Sequence, residues 1–260
     1  NWTNLFSEGQ QPIWKGTSGS GASQWIYPWN WVGNQLPYQT NQTCVFYRSF
    51  PNTNEIQVIH LGWLYNYKGI RFNEDADRNV NIRPIDYNLL IIIATNGLGL
   101  MSDGIEVQEG SEGYHTLGNM TVRADQLWTN ASANLFTLNG YIKGSYNVHK
   151  GGSGRFHIEG DDSSHFNGNM TVDQGPLSIG ERKSLGSNVG WTAVSAGGAL
   201  EFRPTAATAY WSESLRLAGM GVNNDGALRN INYNNLWQGA ITLTDSARIN
   251  ADTNTTLTLT

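Results

Sequence analysis

Few residues in this chain are of the types that do chemistry, and their spacing only partly suits it. Glu74-Asp75-x-Asp77 places three carboxylates within four residues. Such hard oxygen donors bind Ca2+, with Asp75 and Asp77 the candidate ligands. The run lacks the Asp/Asn/Gly register of a calcium loop, and Arg78 adjoins it, so a solvated turn is the competing reading. No other cofactor is indicated. Acid–base glycan cleavage needs convergent carboxylates. Besides Asp75 and Asp77 only Glu159 with Asp161 forms a sizeable acidic grouping, and nothing in the spacing brings the two pairs together. His60, His115, His149, His157 and His165 match no zinc pattern and have no cysteine pair beside them. Serines sit in glycine-rich surroundings, yet no G-x-S-x-G elbow occurs. These patterns point away from an enzyme, with a polysaccharide lyase the least favoured reading.

The aromatic residues make a sharper case. In Trp25-x-Tyr27-x-Trp29-x-Trp31 the rings alternate, so a strand here places all four on one face. Such a face either stacks on sugar rings or covers the end of a sheet. Trp128, Trp191, Trp211 and Trp237 read as packing residues. Six N-x-S/T sequons occur, at Asn1, Asn41, Asn119, Asn130, Asn169 and Asn254. That is about the number chance gives at this composition, so Asn119 and Asn169 read as turn residues and not as glycosylation sites.

These residues need elements to hold them, and the elements are strands. Apolar residues come in short alternating bursts, including Val45/Tyr47, Ile70/Phe72, Ile105/Val107, Met120/Val122, Phe156/Ile158, Met170/Val172, Leu200/Phe202 and Ile241/Leu243, separated by Gly, Asn, Asp and Ser clusters. Asp161-Asp162 and Asn224-Asp225-Gly226 are turn residues of this kind. Many short strands with regular turn signals predict an all-β protein. Repetition narrows it further. Gly118-Asn119-Met120-Thr121-Val122 recurs as Gly168-Asn169-Met170-Thr171-Val172, and more loosely as Gly239-Ala240-Ile241-Thr242-Leu243. The offsets fit multiples of about 24 residues, as in stacked coils that bury their apolar faces on one another. The expected fold is a right-handed parallel β-helix, with a β-sandwich as the rival.

Composition agrees. Charged residues make up only 14% of the chain, against 30 Gly, and the formal net charge is -5. That charge gives no footprint for sequence-independent nucleic-acid binding. The longest apolar run, residues 89–94, is too short to span a bilayer and reads as one buried strand. Cys44 is alone, so no intramolecular disulfide forms. The chain begins at Asn1 with no basic segment leading into an apolar one, as a processed product or a fragment does. Half of the ten tryptophans fall within the first 31 residues. Residues 1–55 are therefore expected to form an aromatic cap continuous with a solenoid over 56–260.

Ile13-Trp14-Lys15-Gly16, Trp29-Asn30-Trp31-Val32-Gly33, Val45-Phe46 and Gly69-Ile70-Arg71-Phe72 resemble the opening of bacterial autotransporter-associated β-strand repeat proteins, also called passenger-associated transport repeats. Residues 152–179 are similar to that family's G-x-G-x-L-x-L-x-G…Y-x-G-x-T-x-V…G-x-L-x-V repeat, with Arg155, Asp161 and His165 standing where threonine or glycine is usual. Gly226-Ala227-Leu228, Trp237-Gln238-Gly239-Ala240-Ile241-Thr242-Leu243 and Ile249-Asn250-Ala251 resemble its G-A-L…W-x-G-x-I-x-L…I-N-A variant. The resemblance implies a secreted or cell-surface β-helical passenger of a bacterium, structural or adhesive and not an enzyme.

The expected function is a subunit of a surface fibre or filament whose partners are copies of itself. An open coil at Leu257, Leu259 and Thr260 would receive Trp2, Leu5 and Phe6, within residues 1–12 of the next copy. The alternative is a glycan-binding or adhesive passenger fragment.

Overall fold

Alternation makes each short strand two-faced. Met120–Val122, Phe136–Leu138 and Phe156–Ile158 each bury their first and third residues and half-expose the second. The computed structural model of the chain describes residues 102–160, 165–206 and 210–260, and before these only 13–14, 31, 43–47, 66–67, 69–77, 79–82 and 90–92. Within them the strands stack coil on coil into a parallel β-solenoid of about seven turns. Every strand pair among the described residues is parallel, which excludes the antiparallel sandwich.

Three sheet faces enclose one core. On the first, Cys44, Ile70, Ile105, Trp128, Lys150, Val172, Val194, Leu217 and Leu243 share one register column. On the second, His115, Phe136, Phe156, Leu177, Leu200, Leu228 and Ile249 do the same. The third carries Leu90, Met120 and Ile142, and in later coils Trp211, Trp237 and Leu259. Between these two stretches it is interrupted: Gly144 bridges Phe166, and residues 181–190 then pass through turns. Rings pack along the core, with Phe46 stacked on Phe72 at 5.4 Å, Phe136 tilted against Phe156 at 4.7 Å and Phe202 stacked on Trp211 at 4.4 Å between centroids. Each such pair adds about 1 kcal/mol to the area it buries.

The corners explain the Asn and Gly content. Asp125 Oδ1 accepts the N–H of Asn147, Asn147 Oδ1 that of Asn169, and Asn169 Oδ1 that of Trp191, so one side chain per coil satisfies the backbone of the next. Asn119 does the same for Tyr141. Gly168 is required by close approach, because a Cβ there would collide with the Tyr146 carbonyl of the coil beneath. In the 222–226 turn Asn223, Asn224 and Gly226 adopt positive φ, while Asp225 does not.

Two expectations about repetition change. These successive corner bonds span 22 residues, so the middle coils are shorter than the 24 read from the offsets. The two identical pentapeptides also occupy different faces. Met120 pairs with Leu90 and Ile142 on the third face, whereas Met170 pairs with Val148 and Thr192 on the first. An offset of about 50 residues is two coils and a part, so the module repeats as a corner followed by a strand and not as a fixed place in the coil. The looser copy at Ile241 does lie in the Met170 column, through Thr192 and Leu215. At the other end Ile13–Trp14 pairs with Thr43–Phe46, which pairs with Gly69–Phe72. The first face thus runs through the segment expected to be a cap.

Candidate functional site: the uncovered coil and the buried polar groups

The coil 241–260 differs from those beneath it in what it exposes. Ile241–Ala247 pairs with Ser214–Gly219, Ile249–Ala251 with Leu228–Asn230, and Thr256–Leu259 with Asn234–Trp237. None of the three has a partner on its other edge among the described residues. Their side chains keep the inward phase but are uncovered. Leu243 is 59% exposed, Ile249 38% and Leu259 44%, whereas their equivalents one coil back, Leu217, Leu228 and Trp237, are all fully buried. Leu257 packs partly against the core, and the Thr260 N–H donates to the Trp237 carbonyl at 3.0 Å. The surface offered is three strand edges without a second partner among the described residues, with Leu243, Ile249 and Leu259 exposed along them, which is the chemistry of strand addition.

Of the expected docking residues, Trp2, Leu5 and Phe6 lie outside the described residues, as do Trp25, Tyr27 and Trp29. Trp31 is fully buried in the core and presents no ring face to solvent. Trp128, Trp211 and Trp237 are buried too, while Trp191 is half-exposed with the Arg216 guanidinium 4.3 Å above its ring. Asp75 and Asp77 are exposed on a turn, where Asp75 accepts from Asn73 Nδ2 at 3.3 Å. Among the described residues no group of three or more His, Cys, Asp or Glu side chains is placed to hold a metal ion. Asp161 lies outside the described residues, so its pairing with Glu159 does too. Arg155 reaches across two coils to Glu201, which also binds Arg203.

Sequence patterns gave no warning of three buried polar groups. Lys150 points into the core column between Trp128 and Val172 and is fully buried. Its Nζ donates to the carbonyls of Gly152 at 2.8 Å, Gly154 at 2.7 Å and Gln174 at 2.6 Å. Burial, aided by Arg155 and opposed by Glu201, lowers its pKa to about 7. Glu213 is buried with Oε1 accepting from Thr192 Oγ1 at 3.1 Å and Oε2 unpartnered. Burial raises its pKa to about 8, against the Thr192 hydrogen bond. His115 lies in the core with its ring stacked on Phe72 at 4.2 Å, and burial lowers it to about 3.

His115 Nε2 lies 2.7 Å from Ser111 Oγ, the spacing of a nucleophile and its base. Both residues are buried, and an imidazole of such low basicity does not take a serine proton near neutrality. The pair serves to satisfy polar atoms inside the coil. On the surface His149 Nδ1 and Ser195 Oγ both bind Asp173, at 2.7 and 3.2 Å, which centres the trio on the carboxylate and not on the imidazole. Cys44 is fully buried, and burial pushes its thiol well above the ordinary value, so it acts as a small core residue.

No family model, curated protein or solved structure matches the chain.

Proposed function

We propose that the chain is a structural β-solenoid that builds an extracellular rod by coil-on-coil stacking, with the 241–260 face receiving a β-coil of a second copy. The observation that supports this reading is the exposure of Leu243, Ile249 and Leu259 in a coil that otherwise keeps the register of those beneath it. Covering three such side chains returns about 1–2 kcal/mol each. Parallel pairing would satisfy the free edges in the same step. A second copy suits the face because its strands already carry the coil spacing that the edge requires. Little charge opposes the approach: the coil holds only Asp245, Arg248 and Asp252, and Asp252 is bound to Arg229. Head-to-tail contacts of this type do not close and therefore produce filaments. The secreted or cell-surface location belongs to the same proposal and draws on the sequence resemblance.

The test is the assembly state of the protein as a function of concentration, by sedimentation and negative-stain microscopy. The expected result is polymers for the wild type. Monomers of unchanged circular dichroism are expected for Leu243→Lys/Leu259→Lys, because inward-pointing charges block an edge. Deleting residues 1–12 should have the same effect if that segment supplies the incoming coil. A wild type that stays monomeric, or a Leu243→Lys/Leu259→Lys variant that polymerises as well as wild type, overturns the stacking reading.

A further inference from the structure

The fold sorts the N-x-S/T sequons by what their asparagines already do. Asn1 and Asn41 lie outside the described residues. Asn130 is fully buried, with Nδ2 donating to the carbonyls of Asn134 and Arg155 and Oδ1 accepting the Ser132 N–H. Asn119 and Asn169 are half-buried at corners, where Oδ1 of each accepts a backbone N–H of the next coil, from Tyr141 at 3.1 Å and from Trp191 at 3.2 Å. These three side chains are committed to the solenoid. Asn254 is exposed, and its amide has no hydrogen-bond partner among the described residues.

The turn that carries Asn254 is anchored at both ends. The Thr255 N–H and Oγ1 both donate to the Asp252 carbonyl, at 3.0 and 2.8 Å, which closes residues 252–255 between Ile249–Ala251 and Thr256–Leu259. Arg229 holds the Asp252 carboxylate with two bonds, at 2.8 and 2.9 Å. Asn254 sits between these anchors at φ 62°, in the left-handed region that asparagine tolerates. Thr256, the hydroxyl residue of the sequon, is also exposed, and its Oγ1 is unbound among the described residues. Asp252 stands two residues before the asparagine, and none of the other five sequons has an acid there. Asp252–Thr256 thus meets the longer acceptor pattern D/E-x-N-x-S/T as well as N-x-S/T.

We propose that Asn254 is an N-glycan acceptor, modified by a transferase whose donor is an oligosaccharide on a lipid pyrophosphate. In the transfer Nδ2 bonds to the anomeric carbon of the donor sugar, and the bond from that carbon to the pyrophosphate oxygen breaks. The oxygen keeps the electron pair, and Nδ2 gives up one proton to the transferase. A bulky, hydrated product belongs on a surface turn, whereas at Asn119 or Asn169 it would meet the next coil. The proposal does not rest on stacking.

The monomer fraction of the whole 260-residue protein, incubated with a lipid-pyrophosphate oligosaccharide and a transferase that reads N-x-S/T, tests this by mass mapping of its peptides. An acceptor peptide confirms that the enzyme turns over. An adduct on Asn254 is expected, with none on Asn119, Asn130 or Asn169. Asn254→Gln and Thr256→Val should each lose that adduct at unchanged circular dichroism. Asn188→Gln, at an exposed asparagine outside any sequon, should keep it. No adduct on Asn254 in the wild type, an adduct that persists in Thr256→Val, or equal occupancy of Asn119 or Asn169 overturns the proposal.

Discussion

Replacing Lys150 by Met keeps the length of the side chain and removes its charge, and the consequence can be worked out in sign and size. In the folded chain the ammonium sits among three carbonyls and no solvent, and its pKa falls from 10.5 to about 7. The folded state thus holds this proton less tightly than the unfolded state does. Below about pH 7 both states are protonated, and the folded state bears the full penalty of a buried cation, about 5 kcal/mol at 1.36 kcal/mol per unit. Between pH 7 and 10.5 the unfolded state alone keeps the proton, so stability rises with pH across that window. Between pH 6.5 and 9.5 the gain is about 3 kcal/mol. Lys150→Met has no such gain, and it leaves three carbonyls without a donor at a cost of about 1–3 kcal/mol each. Urea midpoints of both proteins at the two pH values measure the difference. Subtracting one protein from the other isolates the lysine, because His115 and Glu213 titrate in both. The wild type should gain on the variant by about 3 kcal/mol from pH 6.5 to 9.5. A gap that stays constant within 1 kcal/mol, or widens toward acid, refutes the burial argument.

Glu213→Gln should show the opposite sign. The folded carboxyl keeps its proton to about pH 8, so wild-type stability falls as pH rises from 4.5 to 8, and the isosteric amide should remove about 3 kcal/mol of that loss between pH 5 and 7.5, read from paired urea melts. His115→Phe should flatten the acid limb: the wild type loses stability as pH falls from 6.5 toward 3, and the variant, measured by thermal midpoint at pH 6.5 and 4, should lose less. Gly168→Ala should destabilise by about 3 kcal/mol, because its Cβ would meet the Tyr146 carbonyl; Gly197→Ala, with its nearest neighbour at 3.2 Å, should cost much less in the same denaturation assay.

The solenoid was legible because alternation and turn chemistry are local, while register and polarity inside the core are not. Phe156–Ile158 and Met170–Ile179 begin with plain inward pairs, and both emerge as strands. Val148–Gly151 carries no such pattern, since its second inward position is Lys150, and a lysine reads as the end of an apolar run. The same holds for Gln126–Asn130, whose inward residues are Gln126, Trp128 and Asn130. Each polar intruder is satisfied by a contact that sequence does not display. Trp128 Nε1 donates to Gln126 Oε1, and Asn130 Nδ2 donates to the carbonyls of Asn134 and Arg155. The common phase of Leu257 and Leu259 was readable from their spacing, and Thr256–Leu259 is a strand. The cavity beside Trp211 was not. It arises where a strand is absent, and residues 181–190 look no different in sequence from any other turn-rich stretch.

That missing strand also decides where the rod should open first. In a solenoid each coil touches only its neighbours, so stability is a sum of local interfaces and the weakest one opens on its own. Elsewhere along 102–260 all three faces carry a strand or a bridge, but the coil through 181–190 pairs on two faces only. The next coil adds Glu213, whose unpartnered oxygen costs about 1–3 kcal/mol. The two interfaces that flank Trp191–Phe202 therefore lack one ladder below and carry one unsatisfied group above. The coil at 241–260 has a neighbour on one side only among the described residues. Hydrogen exchange of the polymer proposed above separates the two causes. Stacking should protect the amides of 241–260, and leave 181–190 and Gly190 exchanging ahead of the strands on both sides. Uniform protection along the whole of 102–260 in the assembled state would mean that turns at 181–190 hold the coils together as well as a strand does, and the local account of where this solenoid is weak would have to be abandoned.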